Sequence, residues 1–170
     1  MKYFKQDTGE IEEFAEFIEQ DIENIQRVIQ EVKNSDAEAE FMVHAKSETV
    51  EESAENTGVS EEEIVKTLIF IGEKPVAVLC PGNTSVSEKK LEEVLETNVR
   101  MATPEEVKEA TRYTIGGVSP FDLDIPVYME ESLLEKETVK PAAGSRVVGV
   151  NISPERLQNI TGAEARDLGR

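Results

Sequence analysis

The sequence predicts an α+β domain, and three observations carry that expectation. An apolar stripe at helical spacing opens the chain. Short β-branched runs then alternate with short helices that carry strong capping signals. Hairpin signals between two of those runs point to a mixed or antiparallel sheet with helices around it. At 170 residues the chain has the size of one domain able to bury a sizeable core. Residues 1–170 contain no internal repeat, low-complexity linker or second domain, so a single domain is expected.

The stripe consists of Ile11, Ile18, Ile25 and Val32, seven residues apart, with Ala15, Ile22 and Ile29 between them. It predicts a helix over residues 8–33, opened by a capping box at Asp7 and Glu10 and ended by Asn34-Ser35-Asp36. About three heptads is the lower limit for a coiled coil. A helix packed across its own domain is the preferred reading, and a homodimer through this helix is the other. EFMVHA follows as a short strand.

Thr49, with Glu52 three residues later, opens a helix that stops at Gly58, and Ser60 with Glu63 repeats the signature. IVKTLIFI is β-branched and aromatic, as a strand should be. A tight turn at GEKP returns it through VAVLC, giving a hairpin over Thr67–Cys80. Val86 and Ser87 open a helix running through Thr97, and Val99–Met101 is a short strand. Thr103, Pro104 and Glu106 supply cap, first-turn proline and capping glutamate together. TIGGVSPFDLD reads as a loop, IPVYM as a strand, PAAGS as a second glycine loop and VVGVNI as a strand. Ser153 and Pro154 cap a last helix that holds Leu157 and Ile160.

Composition narrows the function classes. No apolar run approaches the ~20 residues that span a bilayer, so no membrane partner is expected. The opening residues carry no signal-peptide core, and a cytoplasmic location is expected. One cysteine, Cys80, excludes an intramolecular disulfide framework. With His44 as the only histidine, a tetrahedral zinc site of the usual kind is excluded too; no metal and no cofactor are expected. The net charge of −18 argues at first against a nucleic-acid partner, because phosphate binding is mainly electrostatic. The acid is unevenly spread, however. Residues 1–63 hold 19 acids and 5 bases, whereas residues 64–170 hold 17 and 13. A local basic face is therefore compatible with the sequence, which does not itself display one.

Candidate chemistry is sparse. Lys66 shares a strand face with Leu68 and Phe70, so an ammonium stands on the apparent core side. Either it snorkels to water at an edge strand, or it places a cation at a pocket rim for phosphate or carboxylate. Gly116-Gly117-Val118-Ser119-Pro120 fixes a backbone that side chains would obstruct, and can present N–H and C=O groups to a ligand. His44 is the side chain that titrates near neutral pH, although a lone histidine on a strand is more often structural. Cys80 reads as a small core residue. Ser119 and Ser145 lack a nucleophile elbow or an activating base.

The order of these features is more informative than any one of them. Ile64-Val65-Lys66-Thr67-Leu68, Pro81-Gly82, Thr103-Pro104-Glu105-Glu106-Val107, Gly116-Gly117-Val118-Ser119-Pro120, Ile125-Pro126-Val127-Tyr128, Ala143-Gly144-Ser145 and Ile152-Ser153-Pro154 closely resemble the YbaK/aminoacyl-tRNA deacylase family. That family includes the editing domain inserted in some prolyl-tRNA synthetases and its free-standing relatives. The resemblance covers about residues 40–168. It implies a YbaK-like sandwich with a curved, mainly antiparallel mixed sheet surrounded by helices. It also implies hydrolysis, in trans, of the ester joining a noncognate amino acid to the acceptor end of a mischarged tRNA, with prolyl-tRNA synthetase as a companion. The implied substrate is Ala- or Cys-tRNA for proline.

By the same resemblance Lys66 engages the terminal adenosine or its phosphate. Gly116, Gly117, Ser119 and Pro120 form the loop around the attacked carbonyl, and Gly144 and Ser145 form a second pocket wall. His44 and Thr49 fall where family members line the amino-acid pocket. The chain departs from the common pattern after this loop: Asp122 stands where a glycine is frequent, and Asp124 adds another acid. A noncatalytic module of the same fold, binding tRNA, a nucleotide or a synthetase, is the alternative reading.

Overall fold

The structure, a computed structural model, describes residues 8–47 and 49–170. Among these residues the chain forms five α-helices, α1 (Thr8–Asn34), α2 (Val50–Thr57), α3 (Glu88–Leu95), α4 (Pro104–Thr111) and α5 (Pro154–Thr161). Its eight strands are β1 (Glu40–Val43), β2 (Ile64–Ile71), β3 (Pro75–Pro81), β4 (Arg100–Met101), β5 (Val127–Glu130), β6 (Lys140–Ser145), β7 (Val148–Asn151) and β8 (Glu164–Arg166). Helices of eight residues are too short to persist alone, so their ends matter. Thr49, Ser87, Thr103 and Ser153 each accept a backbone N–H three residues on, from Glu52, Lys90, Glu106 and Arg156. The sequence predicts all four, and the capping box it predicts at Ser60 and Glu63 opens a short 3-10 turn at Glu61–Glu63. The predicted cap at Asp7 lies outside the described residues.

The strands make one mixed sheet in the order β1-β7-β6-β2-β3-β5-β8, with β4 beside β2. β1–β7, β6–β7, β2–β3 and β2–β4 are antiparallel. β2–β6, β3–β5 and β5–β8 are parallel. This is the α+β, YbaK-like architecture that the sequence implies. The β2–β3 hairpin is buried on both faces. Val65, Ile69, Ala77 and Leu79 join the larger core with Val28, Tyr113, Phe121 and Leu157. Phe70, Val76, Val78 and Cys80 join a smaller one with Leu91 and Leu168.

Four details differ from the sequence expectation. PAAGS is not a loop: Pro141–Ser145 belong to β6, which is irregular between Ala142 and Ser145. Proline survives there because β6 pairs with β2 only at Ile64 and Val65, leaving few ladder bonds to lose. α3 stops two residues early, where Glu96 turns left-handed at φ 56°. β8 was not foreseen, since Glu-Ala-Arg carries no apolar or β-branched signal.

The fourth is α1, whose apolar stripe is only half used. Val32 lies in the core and Ile25 packs against it, together with Val28 from outside the stripe, whereas Ile11, Ile18 and Ile22 are 52%, 40% and 50% exposed. The buried half packs on β6 at Gly144. A Cβ there would stand 2.7 Å from the Asn24 carbonyl carbon, and φ is +85°, so only glycine allows helix and strand this close.

Candidate active site

β2 and β6 run parallel only at their first residues and then separate. The gap is a cleft of about 270 Å³, walled by β2, β6, the first turns of α2 and the loop at Gly116. Lys66, Thr67, Lys140, Arg146, Thr49 and Gly116 are among its lining residues. Lys66, Thr49, Gly116 and Ser145, drawn from four separated stretches of sequence, are thus brought together. Gly117, Ser119, Pro120 and Gly144 are buried behind the wall instead. His44 stands outside the lining, its backbone N–H donating to Val147 O at 2.9 Å and its ring Nδ1 2.8 Å from Ala45 O.

The two glycine segments meet. A Cβ on Gly117 would lie 3.1 Å from the Ser145 backbone, and one on Gly116 would lie 2.2 Å from Arg146 Nε. Gly116 adopts φ +94°, so the Arg146 side chain can lie directly across it and donate to Ile115 O at 3.1 Å. Tyr113 braces the loop from below. Its hydroxyl donates to Phe121 O at 2.8 Å, and burial pushes its pKa up to about 12.

The charges of the cleft are unusual for this chain. Among the described residues that line it, three are basic (Lys66, Lys140 and Arg146) and none is acidic, in a protein of net charge −18. None of the three forms an ion pair with a described carboxylate. Lys66 Nζ donates to Thr84 O, Arg146 to the Ile115 carbonyl, and Lys140 Nζ lies against Met42 Sδ. Thr67 Oγ1 is buried without a hydrogen-bond partner. A wall of unneutralised cations and an unsatisfied hydroxyl suits an anionic, hydrogen-bonding ligand.

No side chain of the cleft is arranged as an activated nucleophile. Ser145 Oγ donates to Asp21 Oδ2 at 2.7 Å and receives Val147 N–H. Thr49 Oγ1 caps α2. Cys80, the cross-strand partner of Lys66, is fully buried and is not among the cleft's lining residues; burial pushes its thiol pKa up, opposite to the shift that makes a cysteine reactive.

Asp122 sits away from the cleft. At φ +53° it occupies the left-handed conformation that glycine favours. Its carboxylate is held by Arg27 at 2.7 Å and Arg112 at 3.2 Å. Arg27 also donates to the carbonyls of Thr111 and Asp122, both at 3.0 Å, and lies 4.2 Å over the Tyr113 ring. Asp122, which stands where a glycine is frequent, thus fastens the glycine loop to α1.

Sequence reading passed over Lys140 and Thr67. Lys140 was hidden by taking PAAGS as a loop, since a lysine draws notice on a buried strand and none before a turn. Thr67 faces opposite to Lys66, and nothing in sequence separates an orphaned hydroxyl from a satisfied one.

The profile of the aminoacyl-tRNA editing domain matches residues 44–160. The uncharacterized protein YwhH of Bacillus subtilis (strain 168) is 39% identical over 119 residues, 68% of this chain and 76% of that protein. EbsC of Enterococcus faecalis (strain ATCC 700802 / V583), a candidate Cys-tRNA(Pro)/Cys-tRNA(Cys) deacylase, is 27% identical over 150 residues, 85% of this chain and 92% of EbsC. A crystal structure of a candidate trans-editing enzyme for prolyl tRNA synthetase superimposes with a TM-score of 0.79 at 29% identity, covering 86% of this chain and 97% of that one. The match spans the strand of Lys66, the glycine loop and β6 alike, and by it the chain belongs to the aminoacyl-tRNA editing domain family.

Proposed function

We propose that the protein hydrolyses, in trans and in the cytoplasm, the ester linking alanine or cysteine to tRNA for proline. The observation that carries this reading is the cationic cleft against the Gly116 backbone, lined by three bases and no carboxylate among the described residues of an otherwise acidic protein. Lys66 and Arg146 would meet the phosphates of the acceptor end. Gly116, with Gly117 behind it, would shape the wall around the aminoacyl carbonyl.

An aminoacyl ester is already activated, so positioning a water and stabilising the oxyanion suffice. One well-placed oxyanion donor elsewhere contributes about 2.7–4 kcal/mol. The engaged state of Ser145 and the raised thiol of Cys80 support attack by water rather than a covalent intermediate, with the substrate's own ribose hydroxyl assisting. A small cleft fits alanine or cysteine. Between them one methylene-sized difference is worth about 1–3 kcal/mol.

The test is deacylation of Ala-, Cys- and Ser-tRNA for proline by the full chain. Turnover of at least one, unaffected by acyl-trapping reagents, is the expected result. Turnover of none at enzyme well above substrate would leave a noncatalytic tRNA- or synthetase-binding module. The exposed Ile11, Phe17, Ile18 and Ile22 of α1 support a homodimer through that helix. Light scattering should give twice the monomer mass, and a monomer mass would remove the dimer.

A further inference from the structure

Lys140 is the cation of the cleft whose placement the fold itself does not explain. It is 4% exposed, and its stem crosses the part of β7 that has no side chain. A Cβ on Gly149 would lie 2.6 Å from Lys140 Cε, so the lysine takes up the space that glycine leaves. Its ammonium ends at Met42 Sδ, a weak acceptor unable to replace water around a charge. Among the described residues it has no carboxylate partner.

Burying an unpaired ammonium is costly, and an apolar side chain of similar volume would serve packing better. Burial alone accounts for the fall in its pKa to about 8. The first turn of α2, at Thr49 and Val50, lines the same cleft, and a helix start favours an anion.

We infer that Lys140 is a substrate-binding residue that holds the phosphate of the terminal nucleotide, from the wall opposite α2 and in addition to Lys66. This rests on the reading of the cleft as the site of the tRNA acceptor end. Gly149 is then the companion that lets the side chain lie flat. Neither residue takes part in bond making.

Calorimetric titration of the full chain with adenosine and with adenosine 5′-monophosphate tests it. The wild type should prefer the monophosphate by roughly tenfold or more at pH 7, as expected for a charge-assisted contact. Lys140→Met should lose most of that preference while keeping its affinity for adenosine. The wild-type preference should also decline as the pH rises through about 8, which reads the same residue without a variant. An unchanged preference in Lys140→Met, or a flat profile between pH 7 and 9, overturns the inference. Binding of neither nucleoside nor nucleotide by the wild type overturns it together with the acceptor-end reading, whereas loss of the phosphate preference alone touches only Lys140.

Discussion

The two sides of the glycine loop treat charge in opposite ways. Behind it, Arg27, Arg112 and Asp122 satisfy one another, with Glu31 accepting the Asp122 N–H. In front of it, Lys66, Lys140 and Arg146 meet only carbonyls or a sulfur among the described residues. A folded protein gains nothing from unpaired half-buried cations. The back of the loop is therefore built for stability, and under the proposed function the front holds charge in reserve for a ligand.

The sharpest way to break that contrast is to exchange the readouts. Lys66→Ala should lower deacylation by roughly 100-fold, about 2.7 kcal/mol of transition-state stabilisation, while the urea midpoint stays put. Wild-type turnover in a folded Lys66→Ala protein would remove Lys66 from the site. Arg27→Ala should do the reverse. It leaves Asp122 with Arg112 alone and uncovers Tyr113, and should cost about 2 kcal/mol in chemical denaturation, discounted for the partly exposed Asp122. Its turnover per folded molecule should remain near wild type, so a specific kcat defect would contradict the division.

Thr67→Val sharpens the comparison further. The hydroxyl has no partner in the folded protein, so its removal should raise stability by about 1 kcal/mol yet weaken substrate binding. A stability loss on thermal melting would show that Thr67 has a partner in the folded chain. The smallest effect is expected at an exposed pair away from the loop. Glu106 is held at a pKa of about 2 by Arg100 and by the capped Thr103 N–H. Its folded pKa lies below the ordinary 4.5, so its contribution is present above about pH 4.5 and is lost as pH falls toward 2. Glu106→Gln should lower stability slightly at neutral pH, leave it unchanged near pH 2, and so flatten the acid limb of the stability profile.

Much of this architecture was legible beforehand because it is local. A cap needs only a hydroxyl and a backbone N–H three residues away, so Thr49, Ser87, Thr103 and Ser153 announced their helices. Lys66 stood out for a similar reason, as a charge within a short apolar alternation. Other features turn on distant neighbours. The stripe of α1 looks uniform in sequence, and only the tertiary packing decides that Val32 is buried and Ile11 is not. Asp122 stands in the sequence as an acid in place of a glycine, and its partner Arg27 lies 95 residues away.

The sequence by itself determined the element order, the caps, the amphipathic helix and the family likeness, because each depends on contacts within a few residues or on motif order. The tertiary structure alone decided which cations share a cleft, which glycines are buried behind its wall, and that His44 stands outside the lining. Burial and pairing are set by what approaches from elsewhere in the chain. A lysine on a strand carries the same local signal whether its neighbour is a carboxylate or, as at Lys140, a glycine and a thioether.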